Sequence, residues 1–222
     1  MKPRTPLAVA AIRGLLIASI TFGLPFPMRT MADSSITIVA FGDSLTAGYG
    51  LAEAESFPVK LETALRGRGH DVTVINAGVS GDTIEEGLAR LDWSVPENAD
   101  AVIVELGANN ALRGMDPSAA GEALDALVGR VRDHKLEVLV TGMEASRSLG
   151  HVYVETFGSM FPKVAEKHGA LLYDFFLDGV ALDPALNQPD GIHPNARGVD
   201  VIVERILPKV EELIAKVKAK KG

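Results

Sequence analysis

An α/β fold built on one mostly parallel sheet is what this sequence predicts, and three observations carry the prediction. Short apolar, β-branched runs alternate with segments of helical periodicity along the whole chain from residue 35. The runs are predominantly apolar and β-branched, as strands covered on both faces by helices should be. No internal repeat, low-complexity tract or linker interrupts the series, so one domain over residues 33–222 is expected.

The elements follow in order. Residues 35–41 (SITIVAF) read as the first strand. Phe57, Leu61, Ala64 and Leu65 then recur at helical spacing, and Gly67 and Gly69 end that helix. Residues 72–76 form a second strand, and Ile84, Leu88 and Leu91 mark a second helix. Residues 101–106 (AVIVEL) are the third strand. Asp116 and Pro117 suit the N-cap and first position of a helix whose stripe is Leu124, Leu127, Val128 and Val131. A fourth strand at 138–141 precedes a helix carrying Val154, Phe157, Phe161 and Val164 and stopped by Gly169. A fifth strand is expected at 170–176. Val199, Ile202, Ile206, Val210 and Ile214 give a last long helix, which Pro208 should kink or split. In such folds ligands bind beyond the C-terminal ends of the strands.

The first 32 residues read differently. Lys2, Arg4 and Arg13 make a basic start, residues 14–28 are apolar and uncharged, and Thr30-Met31-Ala32 ends the run with small residues where a signal peptidase reads. The run is shorter than the ~20 residues of a spanning helix. Residues 1–32 are therefore expected to be a secretory signal peptide, with no stable membrane insertion after its removal. The segment holds four basic and no acidic residues, so its loss takes the net charge from −7 to −11. Export of a chain with no cysteine fits a bacterial periplasm. Zero cysteines also exclude thiol catalysis, Cys-ligated zinc and iron–sulfur clusters. A pI near 5.3 argues against nucleic acid as a partner.

Chemistry-bearing residues gather at the strand ends. Strand one runs into Gly42-Asp43-Ser44, strand two into a loop with Gly78 and Gly81, strand three into Gly107-Ala108-Asn109-Asn110, and the loop after strand five holds Asp190 and His193. Singly, each has a bland reading. Asp43 or Ser44 caps a helix, the glycines make turns, and the asparagines bond their own backbone. Together they meet the needs of ester hydrolysis. Ser44 serves as nucleophile, His193 as base and Asp190 as orienter of the base. The backbone N–H groups of Ser44 and Gly81 and the amide of Asn109 would hold the oxyanion. His70, His134, His151 and His168 sit near helix ends or strand starts and are given structural roles. There is no G-x-S-x-G elbow, H-E-x-x-H pair or P-loop.

FGDSLTAGYG, INAGVSGDT, VELGANN and DGIHPN resemble, in order, the four sequence blocks of the SGNH (GDSL-type) hydrolases, most of all the bacterial secreted arylesterases related to thioesterase I/protease I/lysophospholipase L1. The resemblance implies a flavodoxin-like α/β/α sandwich whose five-stranded parallel sheet has the order 2-1-3-4-5. It places Ser44, Asp190 and His193 in the triad and Ser44, Gly81 and Asn109 in the oxyanion hole, and it implies no cofactor; no metal is expected, because no ligand cluster is visible in the sequence. Two positions depart from the family pattern. Asn110 stands where relatives carry aspartate, in a role that supports the loop. Glu144-Ala145-Ser146-Arg147 replaces an apolar, proline-containing segment, which predicts a preference for short and medium acyl groups. The expected function is a serine esterase acting on small aryl or acyl esters, thioesters or lysophospholipids. A carbohydrate O-acetylesterase or a non-catalytic secreted binding module are the alternatives.

Overall fold

The computed structural model describes residues 1–3 and 35–222. Apart from its first three residues, the segment expected to be a signal peptide lies outside the described residues. The described residues 35–222 form one compact unit.

Five strands build the sheet: β1 (Ile36–Gly42), β2 (Val72–Gly78), β3 (Ala101–Glu105), β4 (Glu137–Thr141) and β5 (Leu171–Tyr173). All pair in parallel, in the order β2-β1-β3-β4-β5, as the resemblance implies. Every residue of β3 and β4 is buried, and of β1 all but Thr37. Such strands need helices on both faces. These are α1 (Ser44–Ala47), α2 (Phe57–Gly67), α3 (Ile84–Ser94), α4 (Ala108–Leu112), α5 (Pro117–Asp133), α6 (His151–His168) and α7 (Ala196–Lys221). α2 packs on α7, while α5 packs on both α3 and α6, giving the three-layer sandwich. Asp116 caps α5 through the Ser118 N–H. Thr83 and Glu86 cap α3 reciprocally, side chain to backbone in both directions.

β1 lies between β2 and β3, so the direction of strand addition reverses beside it. That reversal opens the crevice at the C-terminal end of β1, which is where Ser44 stands.

Three details differ from the sequence expectations. β5 is shorter than residues 170–176, because the chain leaves the ladder after Tyr173 and turns. Phe176 is buried there and meets Phe57 edge to face, 5.0 Å between ring centres, so its apolarity serves the core rather than a strand. α7 is not split at Pro208. A proline removes one main-chain bond, while buried Ile206, Leu207 and Val210 hold both halves to the core. Finally, α1 and α4 are single helical turns at strand ends, too short to leave a period in the sequence.

Candidate active site

The nucleophile turn comes first. β1 ends at Gly42, and Asp43 caps α1 by accepting the Leu45 N–H on Oδ1 at 3.0 Å, which puts Ser44 at the first helical position. A Cβ on Gly42 would lie 2.2 Å from Thr46 Oγ1 and 2.5 Å from the Glu105 carbonyl, so close approach, not turn conformation, demands glycine there. Gly81, by contrast, has φ +94°, a left-handed conformation that favours glycine whatever the space.

The acid–base loop is organised locally. Asp190 Oδ1 accepts the backbone N–H groups of Ile192 (2.9 Å) and His193 (3.0 Å), and Gly191 turns the chain at φ +70°. Asp190 Oδ2 is then 2.7 Å from His193 Nδ1. The two backbone donors and the imidazole hold the Asp190 carboxyl down at about 2, so it is ionised at neutral pH. An ionised partner on Nδ1 places the ring proton there and leaves the Nε2 lone pair facing outward. Nε2 is 2.9 Å from Ser44 Oγ, across 149 residues of sequence. Tyr49 packs against the His193 ring with 4.6 Å between centres. Gln188 ties the two loops, its Nε2 donating to the carbonyls of Tyr49 (2.7 Å) and Pro194 (3.0 Å).

The adjacent asparagines part company. Asn109 Nδ2 donates to Asp43 Oδ2 (3.1 Å) and to the Asp82 carbonyl (3.0 Å), so its amide spans the nucleophile turn and the Gly81 loop. The backbone N–H groups of Ser44 and Gly81 meet no acceptor among the described residues. Asn110 is fully buried and faces the start of α3. Its Oδ1 accepts the Ile84 N–H at 3.0 Å and its Nδ2 donates to Glu85 Oε2 at 2.8 Å.

Two buried carboxyls lie beneath Ser44. Burial pushes Asp43 up to about 6, against the Leu45 N–H, the positive charge His193 takes on and the Asn109 amide, which all favour its ionised form. Glu105, at the end of β3, is completely buried and sits well above the usual carboxylate range, through burial and then the charge of Asp43. Thr46 Oγ1 donates to its Oε2 at 2.7 Å.

The residues singled out in the sequence thus converge on one edge of the sheet. Tyr49, Gln188, Arg90, Glu85 and Glu105 were not singled out. Tyr49 lies within the first block and Glu105 within the third, but nothing local marks the others. The remaining histidines pair with carboxylates elsewhere, His70 with Glu211 at 3.2 Å and His168 with Asp125 at 2.8 Å among them. Among the described residues no group of three or more His, Asp and Glu side chains could hold a metal ion.

Known proteins are similar to this chain. The chain is 34% identical over 190 residues to an arylesterase of Vibrio mimicus, covering 85% of this chain and 95% of that protein. It is 32% identical over 204 residues to esterase TesA of Pseudomonas aeruginosa, covering 91% of this chain and all of that one. Among solved structures, AlinE4, an SGNH-hydrolase family esterase, is 45% identical and superposes with a TM-score of 0.68 over 80% of this chain and 96% of its own. Residues 40–201 match the GDSL-like Lipase/Acylhydrolase family, and with the strand order and the four blocks at one sheet edge, the chain belongs to that family.

Proposed function

We propose that the protein is a serine esterase that hydrolyses small aryl or acyl esters, with thioesters and lysophospholipids in its range, through an acyl-enzyme. The observation that carries this reading is the continuous hydrogen-bonded line from Asp190 through His193 to Ser44, 2.7 Å and 2.9 Å long. Ser44 Oγ attacks the ester carbonyl while His193 Nε2 takes its proton, and ionised Asp190 stabilises the imidazolium. The oxyanion forms against the N–H groups of Ser44 and Gly81 and the Asn109 amide, which must turn part of its bonding away from Asp43 or the Asp82 carbonyl. Collapse expels the alcohol or thiol with the proton from His193, leaving the acyl group on Ser44 Oγ. Water, deprotonated by His193, releases the carboxylic acid and restores the serine.

The concavity beside Ser44, lined by Leu45, Gly48, Tyr49, Leu51 and Pro194, is only about 10 Å³. That is room for roughly one water, so an acyl chain lies along an open surface. The preference for short and medium chains rests on Glu144 and Arg147, charged and exposed in the segment after β4. The reading includes a signal peptide at residues 1–32, a hydrolase domain at 33–222 and a periplasmic location. It is supported by the basic, apolar and small-residue order of the leader.

A fluorophosphonate label followed by peptide mapping tests the proposal. The modification should fall on Ser44 and disappear in Ser44→Ala, together with turnover of p-nitrophenyl butyrate. A Ser44→Ala protein that keeps wild-type rates on aryl, acyl-thio and acetyl-sugar esters would refute it. N-terminal sequencing of exported protein should find Asp33 or a neighbour, and a chain still starting at Met1 would remove the leader.

A further inference from the structure

We propose that Arg90 is a positioning residue for the reaction: its guanidinium holds the nucleophile turn and the Gly81 loop in register, so that the oxyanion donors are aimed before substrate arrives. This rests on the esterase reading above.

Arg90 is carried by α3, outside all four sequence blocks, and its side chain is 14% exposed. Its guanidinium reaches three segments at once. Nη2 donates to the Gly42 carbonyl at 2.9 Å, at the end of β1 and two residues before Ser44. Nη1 donates to the Ala77 carbonyl at 3.0 Å, near the end of β2, and to Ser94 Oγ at 3.1 Å. Nε binds Asp82 Oδ2 at 2.5 Å, and Asp82 directly follows Gly81. The guanidinium carbon lies 4.1 Å from the centre of the buried Phe41 ring, which fixes the plane of the fork.

The two carbonyls lie where the β1–β2 ladder stops, its last pair being Gly42 and Gly78. The Gly42 carbonyl also accepts the Val79 N–H at 3.0 Å, so a donor as such is not what Arg90 adds there. It adds a planar fork that meets two strand ends and the carboxylate of the oxyanion loop together. Lysine brings the same charge but only one nitrogen, and cannot reach three separated acceptors. The Asp82 carbonyl in turn accepts the Asn109 amide at 3.0 Å, so the residue Arg90 grips also seats the third oxyanion donor. The Gly81 carbonyl is held separately by Arg113 Nη2 at 2.7 Å. Arg113 thus fixes the carbonyl of the left-handed Gly81, while Arg90 fixes the side chain of the residue that follows it. Displacement of a reacting group by ~1 Å is enough to cost ~10²-fold in rate.

The test is Arg90→Lys and Arg90→Ala in the full chain, assayed with p-nitrophenyl butyrate at a temperature where circular dichroism shows each folded. Arg90→Lys keeps a cation beside Asp82, so it stays folded more readily than Arg90→Ala. We expect kcat to fall ~10–100-fold in Arg90→Lys, while KM stays within about threefold and the midpoint of the pH–rate profile is unmoved, since the Asp190–His193 pair is untouched. Added guanidinium should restore part of kcat in Arg90→Ala and do nothing for wild type. A folded Arg90→Lys protein with kcat within threefold of wild type overturns the proposal, as does a loss confined to KM. If wild-type protein neither labels at Ser44 nor hydrolyses esters, the esterase reading itself has failed, and the two failures are distinct.

Discussion

Replacing Asn110 by aspartate restores the family pattern, yet the structure predicts that it destabilises this protein. Asn110 uses both ends of its amide, accepting from the Ile84 N–H and donating to Glu85 Oε2 at 2.8 Å. Aspartate keeps the first bond and gains ~0.5–2 kcal/mol from a negative charge at the start of α3. It reverses the second. Two ionised carboxylates ~3 Å apart repel by ~5 kcal/mol even at an effective dielectric of ~20, so the half-buried pair takes up a proton instead. Holding one carboxyl protonated at pH 7.5 against an ordinary value near ~4 costs about 4–5 kcal/mol at ~1.4 kcal/mol per pH unit. Repulsion therefore wins, by ~2–4 kcal/mol at pH 7.5. For a domain of this size that lowers the melting temperature by about 5–15 °C. The sign of the pH dependence follows. The folded-state value of the pair is raised, so the penalty is absent below the unfolded-state value and grows as pH rises toward the folded one; at pH 4.5 the gap should nearly close. Asn110→Asp/Glu85→Gln should recover most of the loss. At 25 °C, kcat should stay within about threefold, because Asn110 faces α3 rather than Ser44. Melting curves of wild type, both single variants and the double variant at two pH values decide the matter. An Asn110→Asp protein as stable as wild type at pH 7.5, or one that Glu85→Gln leaves unrescued, would refute the reasoning.

Asp43 offers a second pH test. Its rise from 3.8 to about 6 means that folding favours the neutral acid, so stability is full below about 3.8 and falls by about 3 kcal/mol as pH rises through about 6. Asp43→Asn should melt higher than wild type at pH 7.5 and equally at pH 4, and a pH-independent difference would contradict this. Asn109→Ala should lower kcat by ~10²–10³ with little change in KM, the usual loss of an oxyanion donor; if Asn110→Ala does this and Asn109→Ala does not, the two assignments are exchanged. Butyrate esters should exceed palmitate esters in kcat/KM, and the reverse order would remove the role given to Glu144 and Arg147.

How much of this was legible beforehand follows the range of the interactions. The strands announce themselves because burial on both faces needs apolar runs such as AVIV at 101–104 in β3. The Asp190–His193 pair is equally local: three residues and one glycine turn suffice to bond carboxylate to backbone and ring. Phe176 misled because burial alone looks the same in a strand and in a turn against Phe57.

What the sequence by itself determined is therefore the element order and the four blocks, with Ser44, Asp190 and His193 as the candidates they carry. Tertiary structure alone decided three further matters. It brought His193 to Ser44 across 149 residues. It gave the two asparagines their partners: a helical turn of ~100° per residue aims them in different directions, so that Asn109 meets Asp43 while Asn110 meets Glu85. It also converged Gly42, Ala77 and Asp82 on Arg90. Periodicity records which side of an element is buried, but not which distant partner covers it. Hydrogen-bond geometry and the burial of Asp43 and Glu105 depend on that partner, and so they exist only once the sheet has assembled.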